Sequence, residues 1–196
     1  MRQRVLEAAT RVFGRHGYTE ATLDEVAAEA GFSKGAVYSN FANKEEVFYA
    51  LLREHVGARV ERVQNAIASA ESLQAAGAAA GRASGEAVDE EPDWHLLFLE
   101  FVTRAARQPE LGEELGRQRA ELRRMIADQA RETLDSLGGE PALSAVQLAN
   151  IMLALSNGLA IEQQVEPKGV DPDLFERTVE LITVGMQHMG AKVERR

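Results

Sequence analysis

Thr22-Leu23-Asp24-Glu25-Val26-Ala27-Ala28-Glu29-Ala30-Gly31-Phe32-Ser33-Lys34-Gly35-Ala36-Val37-Tyr38-Ser39-Asn40-Phe41 is the stretch whose reading decides the fold. Leu23, Val26, Ala27 and Ala30 recur at helical spacing. Thr22 precedes them and Glu25 follows Thr22 by three, the capping-box pattern of a helix start. Gly31 stands just past the helix end, where a left-handed residue is common. Ser33 caps a second, very short helix from about Lys34 to Phe41. Two short helices joined by Gly31-Phe32-Ser33 match the helix-turn-helix pattern, whose second helix enters the DNA major groove. Phe32 and Val37 are expected to lock the pair. At about 100° per residue, Val37, Asn40 and Phe41 share one arc, the packing face. Lys34, Gly35, Tyr38 and Ser39 share the opposite arc, which carries no acid, as a surface set against phosphates requires. Gly35 and Ala36 reduce bulk there, which fits close approach to DNA. Lys44 opens the next helix, where backbone N–H groups and the dipole favour a phosphate.

Working outward, Val5, Leu6, Ala9, Val12 and Phe13 form the buried stripe of a first helix, loosened at its end by Gly14 and Gly17. Asn43 caps a long helix carrying Val47, Phe48, Leu51, Leu52, Val56, Val60, Val63 and Ile67, and running to about Ala70. It begins beside the expected phosphates and ends inside the larger part of the chain, so it is expected to transmit a tilt. From Gln74 to Glu91 the composition shifts to Ala, Gly, Ser and acid, with Val88 as the single large apolar residue. That reads as a mobile loop or a frayed helix end. Pro92 opens a dense apolar face of Trp94, Leu97, Phe98, Phe101 and Val102, and Pro109 breaks it. A charged helix over about Glu110–Leu137 carries a thin stripe of Leu111, Leu115, Leu122, Met125, Ile126 and Leu134, and Gly138-Gly139 stops it. Two more helices are expected, from Ser144 to about Val165 and from near Pro172 to about Gly190. No strand signal of comparable length occurs. The fold class is all-α, with a three-helix head over 1–50 and a larger helical domain over 51–196.

The chain has 196 residues, the size of one large or two small domains, and no cysteine. That excludes disulfides, Cys-type zinc sites, iron–sulfur clusters and thiol catalysis. His16, His55, His95 and His188 are scattered without metal-ligand spacing, so neither a metal nor a cofactor is expected. With no clustered His/Glu set and no Gly-rich phosphate loop, no catalytic residue is assigned and an enzyme is not expected. The net charge of −9 argues on average against nucleic acid. The acid lies mostly in the second part, because residues 1–50 hold six Arg/Lys against seven Asp/Glu. No apolar run approaches the ~18 residues of a membrane span, and the N-terminus is charged and amphipathic. A soluble cytoplasmic protein without a membrane partner is expected. A helical interaction or small-molecule-binding protein without a DNA role is the competing reading. It leaves the acid-free arc unexplained.

Val146, Leu148, Ile151, Met152, Leu153, Leu155, Leu159 and Ile161 circle nearly the whole of their helix. Ala149, Ala154, Gly158 and Ala160 are small enough for close approach of another helix. The last helix has the same excess in Leu174, Phe175, Val179, Leu181, Ile182, Val184, Met186 and Met189. Two helices with surplus apolar surface suggest a symmetric interface of obligate size, against the simpler reading of one thick core. Candidate walls of a ligand cavity are Trp94, Phe98, Phe101, Val102, Ile126, Asn150, Leu153 and Asn157. Asn150 and Asn157 share one face of an oily helix, and a buried amide needs a partner. The mostly apolar walls predict a hydrophobic or aromatic effector, larger than a simple sugar or amino acid.

The segment Thr22–Phe41, followed by Asn43-Lys44-Glu45-Glu46-Val47 and preceded by Phe13-Gly14-Arg15-His16-Gly17-Tyr18, resembles the N-terminal domain of tetracycline-repressor-like (TetR-family) regulators. The close resemblance covers about residues 5–52. It implies a homodimeric transcriptional regulator, usually a repressor, that binds a palindromic double-stranded DNA operator. A small-molecule effector in the larger helical domain releases the DNA. The last two helices then form a four-helix dimer interface. Carried over position by position, the DNA contacts are Thr22, Ser33, Lys34, Gly35, Ala36, Tyr38, Ser39 and Lys44. Tyr38 and Lys44 are assigned to phosphates, Lys34 and Ser39 to base edges.

Overall fold

The computed structural model describes the backbone of residues 1–90, 92–137 and 142–193, and side chains within 1–87, 93–137 and 142–186. Among the described residues the regular structure is helical throughout: α1 (Arg2–Glu20), α2 (Leu23–Ala30), α3 (Lys34–Tyr38), α4 (Lys44–Ile67), α5 (Leu73–Glu90), α6 (Pro92–Ala105), α7 (Pro109–Ser136), α8 (Ala145–Val165) and α9 (Leu174–Val193). The expected stop at Gly138-Gly139 lies outside the described residues, as do the side chains of Val88 and Met189. The helices form two compact units. Unit 1 takes Met1–Val56 and Asp93–Arg119, and unit 2 takes Gly57–Pro92 and Ala120–Arg196.

Unit 1 is built on the stripes read from the sequence. Val5, Leu6, Ala9, Val12 and Phe13 of α1 are buried with Leu23, Val26, Ala27 and Ala30 of α2, Val37 of α3, and Val47, Phe48, Leu51 and Leu52 of α4. Each large side chain contributes roughly 1.5–3 kcal/mol on burial. The head expected over 1–50 is here joined by 93–119, because the aromatic face of α6 packs on α4. The Phe101 and Phe48 rings stack at 3.7 Å between centroids.

In unit 2, the segment expected as a mobile loop or a frayed helix end is the full helix α5. Its glycines mark a close seam with α9. A Cβ on Gly81 would stand 2.8 Å from the Glu176 Cα, and one on Gly77 would overlap the Thr183 side chain. Ala76, Ala83 and Ala87 are buried in the same helix. Alanine is the best helix former, and small residues let two backbones approach. The scarcity of large apolar residues is thus a packing device, which composition alone does not distinguish from a loop. Arg59 of α4 donates to the Ser84 carbonyl of α5 at 3.3 Å and to Ser156 Oγ of α8 at 2.8 Å. α8 begins at a capping box formed by Ser144 and Gln147. Its apolar residues circle the helix, yet only Ala149, Ser156 and Ala160 are buried. Val146, Leu174 and Leu181 are exposed, Leu181 by 73%. By length and composition α8 is also apolar enough to cross a membrane, with a mean hydropathy of 1.2. The expectation that no apolar run approaches a membrane span is corrected at this helix.

Candidate nucleic-acid interface

The site is built by the caps of two short helices. Thr22 Oγ1 accepts the Glu25 N–H at 3.2 Å, and Glu25 Oε2 accepts the Thr22 N–H at 2.8 Å. The Thr22 hydrogen bonds hold the Glu25 carboxyl below the usual carboxylate range. Gly31 ends α2 in the left-handed region at φ 71°, ψ 31°. The Phe32 N–H then closes back on the Ala27 carbonyl at 3.0 Å. Arg4 adds a further cap. Its Nη2 donates to the Ala30 carbonyl at 3.1 Å, and its guanidinium lies 4.8 Å over the Phe32 ring.

Ser33 caps α3 by accepting the Ala36 N–H at 3.3 Å. Val37 and Phe41 are buried, as expected of the packing arc. Asn40 is not. It is exposed, and its Nδ2 donates to the Ala36 carbonyl at 3.0 Å. α3 therefore ends at Tyr38, not near Phe41. The Ser39 hydroxyl and the Asn40 amide both donate to the Ala36 carbonyl, at 2.9 and 3.0 Å.

Lys34, Gly35, Tyr38 and Ser39 emerge together on the exposed side of α3, with Tyr38 49% exposed. A Cβ added at Gly35 would meet nothing within 4 Å. Ala36 is partly covered, while Thr22 and Ser33 are exposed and act as the two caps. The arc is acid-free within α3, but Asp24 of α2 reaches it and pairs with Lys34. Both side chains are largely exposed, so solvent screens the pair and it yields readily.

Lys44 does not stand among these residues. Its Nζ donates to the carbonyls of Tyr18, Thr19 and Ala21 at 2.6, 3.0 and 2.7 Å. It also lies 4.5 Å over the Tyr18 ring. Burial pushes its ammonium pKa down. An ammonium has three donors, and all are taken, so the phosphate role read for Lys44 is corrected to a structural one. The start of α4 is closed as well, since Asn43 Oδ1 accepts the Glu46 N–H and Glu46 Oε2 accepts the Ala42 N–H, each at 2.8 Å.

The residues read as a ligand cavity are divided. Trp94, Phe98, Phe101 and Val102 belong to unit 1; Ile126, Asn150, Leu153 and Asn157 belong to unit 2. Phe101 is fully buried, stacked on Phe48 and edge-on to Tyr18 at 4.9 Å. It closes a core and offers no face to a ligand. Trp94 stacks on His55 at 4.3 Å and on Phe48 at 5.9 Å. Phe98 lies under the Arg119 guanidinium at 5.2 Å, and Val102 is partly exposed. A cleft of about 980 Å³ in unit 1 is walled by Phe41, Tyr49, Arg53, Pro109, Leu111 and Gln118, and none of those four residues reaches it. In unit 2, Asn150 is exposed, whereas Ile126, Leu153 and Asn157 are partly exposed. The pair of buried amides expected on α8 is therefore not present. No cluster of potential metal ligands occurs among the described residues.

The fold and this face are those of a helix-turn-helix protein. Residues 5–51 match the family profile of bacterial regulatory proteins of the tetR family, and residues 74–182 match that of the BetI-type transcriptional repressor C-terminal domain. The chain belongs to the TetR family. The HTH-type transcriptional repressor AcnR of Corynebacterium efficiens is 42% identical over 62 residues, which cover 32% of this chain and 33% of AcnR. The chain thus matches about a third of that relative's length. Among solved structures, a transcriptional regulator from Rhodococcus sp. Rha1 is 26% identical with a TM-score of 0.71, covering 97% of both chains. The regulator FadR of Bacillus subtilis, solved with stearoyl-CoA, is 18% identical with a TM-score of 0.68, covering 94% of this chain and 98% of that one.

Proposed function

We propose that this protein is a DNA-binding transcriptional regulator of the cytoplasm, acting as a repressor. The observation that carries the reading is the exposed face of α3. Lys34, Tyr38 and Ser39 surround a glycine with open space above it, on a five-residue helix held by caps at both ends. A phosphate backbone needs a surface of this kind, and base edges need side chains that reach past it. Lys34 leaves Asp24 for a base edge, Ser39 reads a second one, and Tyr38 meets a phosphate. The protein binds a palindromic operator as a homodimer. The apolar surface of α8 and α9 that a single chain leaves uncovered supports this reading, with a second copy rather than a bilayer as its cover. Release follows binding of a small hydrophobic or aromatic effector in unit 2, where Ile126, Leu153 and Asn157 are the candidate contacts. The acyl ligand held by the B. subtilis FadR supports the hydrophobic class.

The test is a gel-shift titration with DNA from upstream of the protein's own coding sequence. A retarded complex that resists excess random duplex is expected, with affinity falling steeply as salt rises. Equal affinity for both DNAs overturns the reading.

A further inference from the structure

α1 does not run unbroken to Glu20. Gly17 interrupts it at φ 72°, ψ 172°. The turn that follows begins a new helical segment, and the first N–H groups of such a segment need acceptors from outside it. Glu100 of α6 supplies them. One carboxylate oxygen accepts the Tyr18 N–H and the other the Thr19 N–H, each at 2.7 Å. The carbonyls of the same turn are those held by Lys44. One turn of backbone is thus gripped by a carboxylate at its positive end and an ammonium at its negative end. A Cβ at Gly17 would stand 2.8 Å from Glu100 Oε2, so glycine there gives both the conformation and the room. Burial alone would push the Glu100 carboxyl up, but the hydrogen bonds from Thr19 and Tyr18 outweigh it and hold it below the usual range.

Two features make this grip more than a local cap. The gripped turn leads directly into Thr22, the N-cap of α2, so its position sets where the helix-turn-helix begins. α6 starts where the chain passes from unit 2 into unit 1. We infer that Glu100 is a positioning residue for DNA binding, its carboxylate fixing the start of the helix-turn-helix against α6. A displacement of α6 then reaches Thr22 through two backbone hydrogen bonds.

The inference rests on the DNA-binding reading above, and its test separates the two. Glu100→Ala and Glu100→Gln are compared with the wild type in the full chain. Two measurements are made: amide exchange, and affinity for the upstream DNA and for random duplex at one salt concentration. In Glu100→Ala, the Tyr18 and Thr19 amides exchange about tenfold faster or more, while those of Val12 and Phe13 keep their rates. Affinity for the upstream DNA falls about tenfold, while random duplex binds as before. Glu100→Gln keeps one acceptor oxygen and falls between; it carries the comparison alone if the alanine variant does not fold. Unchanged exchange overturns the inference. So does faster exchange with an unchanged ratio of the two affinities, the result of a purely local cap. A wild type that does not distinguish the two DNAs marks failure of the DNA-binding reading, and the positioning role falls with it.

Discussion

Unit 1 and unit 2 are closed by different means. The largest fully buried side chains, Tyr18, Phe13, Phe41, Phe48 and Phe101, all belong to unit 1. Unit 2 buries Leu122, Leu134, Phe175, Val179 and Met186 without any ring stack among them, and seats α5 on α9 through glycines. Large interlocking rings from α1, α4 and α6 close unit 1 within a single chain. Unit 2 leaves most of α8 and the outer face of α9 partly uncovered. A head closed on its own rings suits recognition of a fixed groove. A body with spare apolar surface suits a second copy and a ligand.

The comparison breaks most readily at Gly158. A Cβ there would meet nothing within 4 Å in the single chain. Gly158→Arg is therefore expected to leave the helical content intact, and to obstruct a second α8 laid against the first. Light scattering should show the mass fall from twice the chain to once, and upstream DNA binding should weaken about a hundredfold or more, since a single head keeps only half the contacts. A variant that remains dimeric removes α8 from the interface.

Gly81→Ala tests the seam of unit 2. The added methyl meets the backbone of α9, and overpacking of this kind typically costs about 1–3 kcal/mol. Thermal unfolding should shift down by roughly 2–12 °C for a chain of this size. An unchanged midpoint means that α5 and α9 are not so closely set.

Gly35→Ala is the contrasting change in unit 1. Its Cβ enters open space, and alanine is favoured over glycine in a helix by up to about 1 kcal/mol. Stability should rise slightly while affinity for the upstream DNA falls about tenfold, the loss of one good contact. If affinity holds, DNA does not approach the α3 backbone at this point.

The smallest effect concerns the closure of unit 1. Tyr49 is buried, its hydroxyl has no hydrogen-bond partner among the described residues, and burial pushes its pKa up to about 12. A raised pKa means that the folded state favours the neutral phenol. Its contribution to stability is full below the ordinary value of 10.0 and is lost as pH rises toward about 12. Tyr49→Phe should be nearly neutral at pH 7, because it removes a buried group that makes no bond. It should also flatten the alkaline loss of stability measured by denaturant titration between those pH values. An unaltered alkaline slope shows that the Tyr49 phenol is not sheltered from solvent.

The sequence by itself determined the all-helical class, the caps Thr22 and Ser33, the turn at Gly31 and the exposed arc of α3. All of these depend on residues within four positions of one another. Hydrogen bonds, turn conformations and side-chain stripes at that range are local consequences of chain geometry. Only the tertiary structure decided the role of Lys44, whose three acceptors lie more than twenty residues away, and that of Glu100, whose partners lie 81 and 82 positions off. The same holds for α5. Its glycines recur every four positions, at 77, 81 and 85, but that spacing does not name what they pack against, which is a backbone brought close from the far end of the chain. The reading of Phe101 as a ligand wall failed for a related reason. An apolar stripe predicts that a face is buried, but which neighbour buries it is settled only when the helices meet.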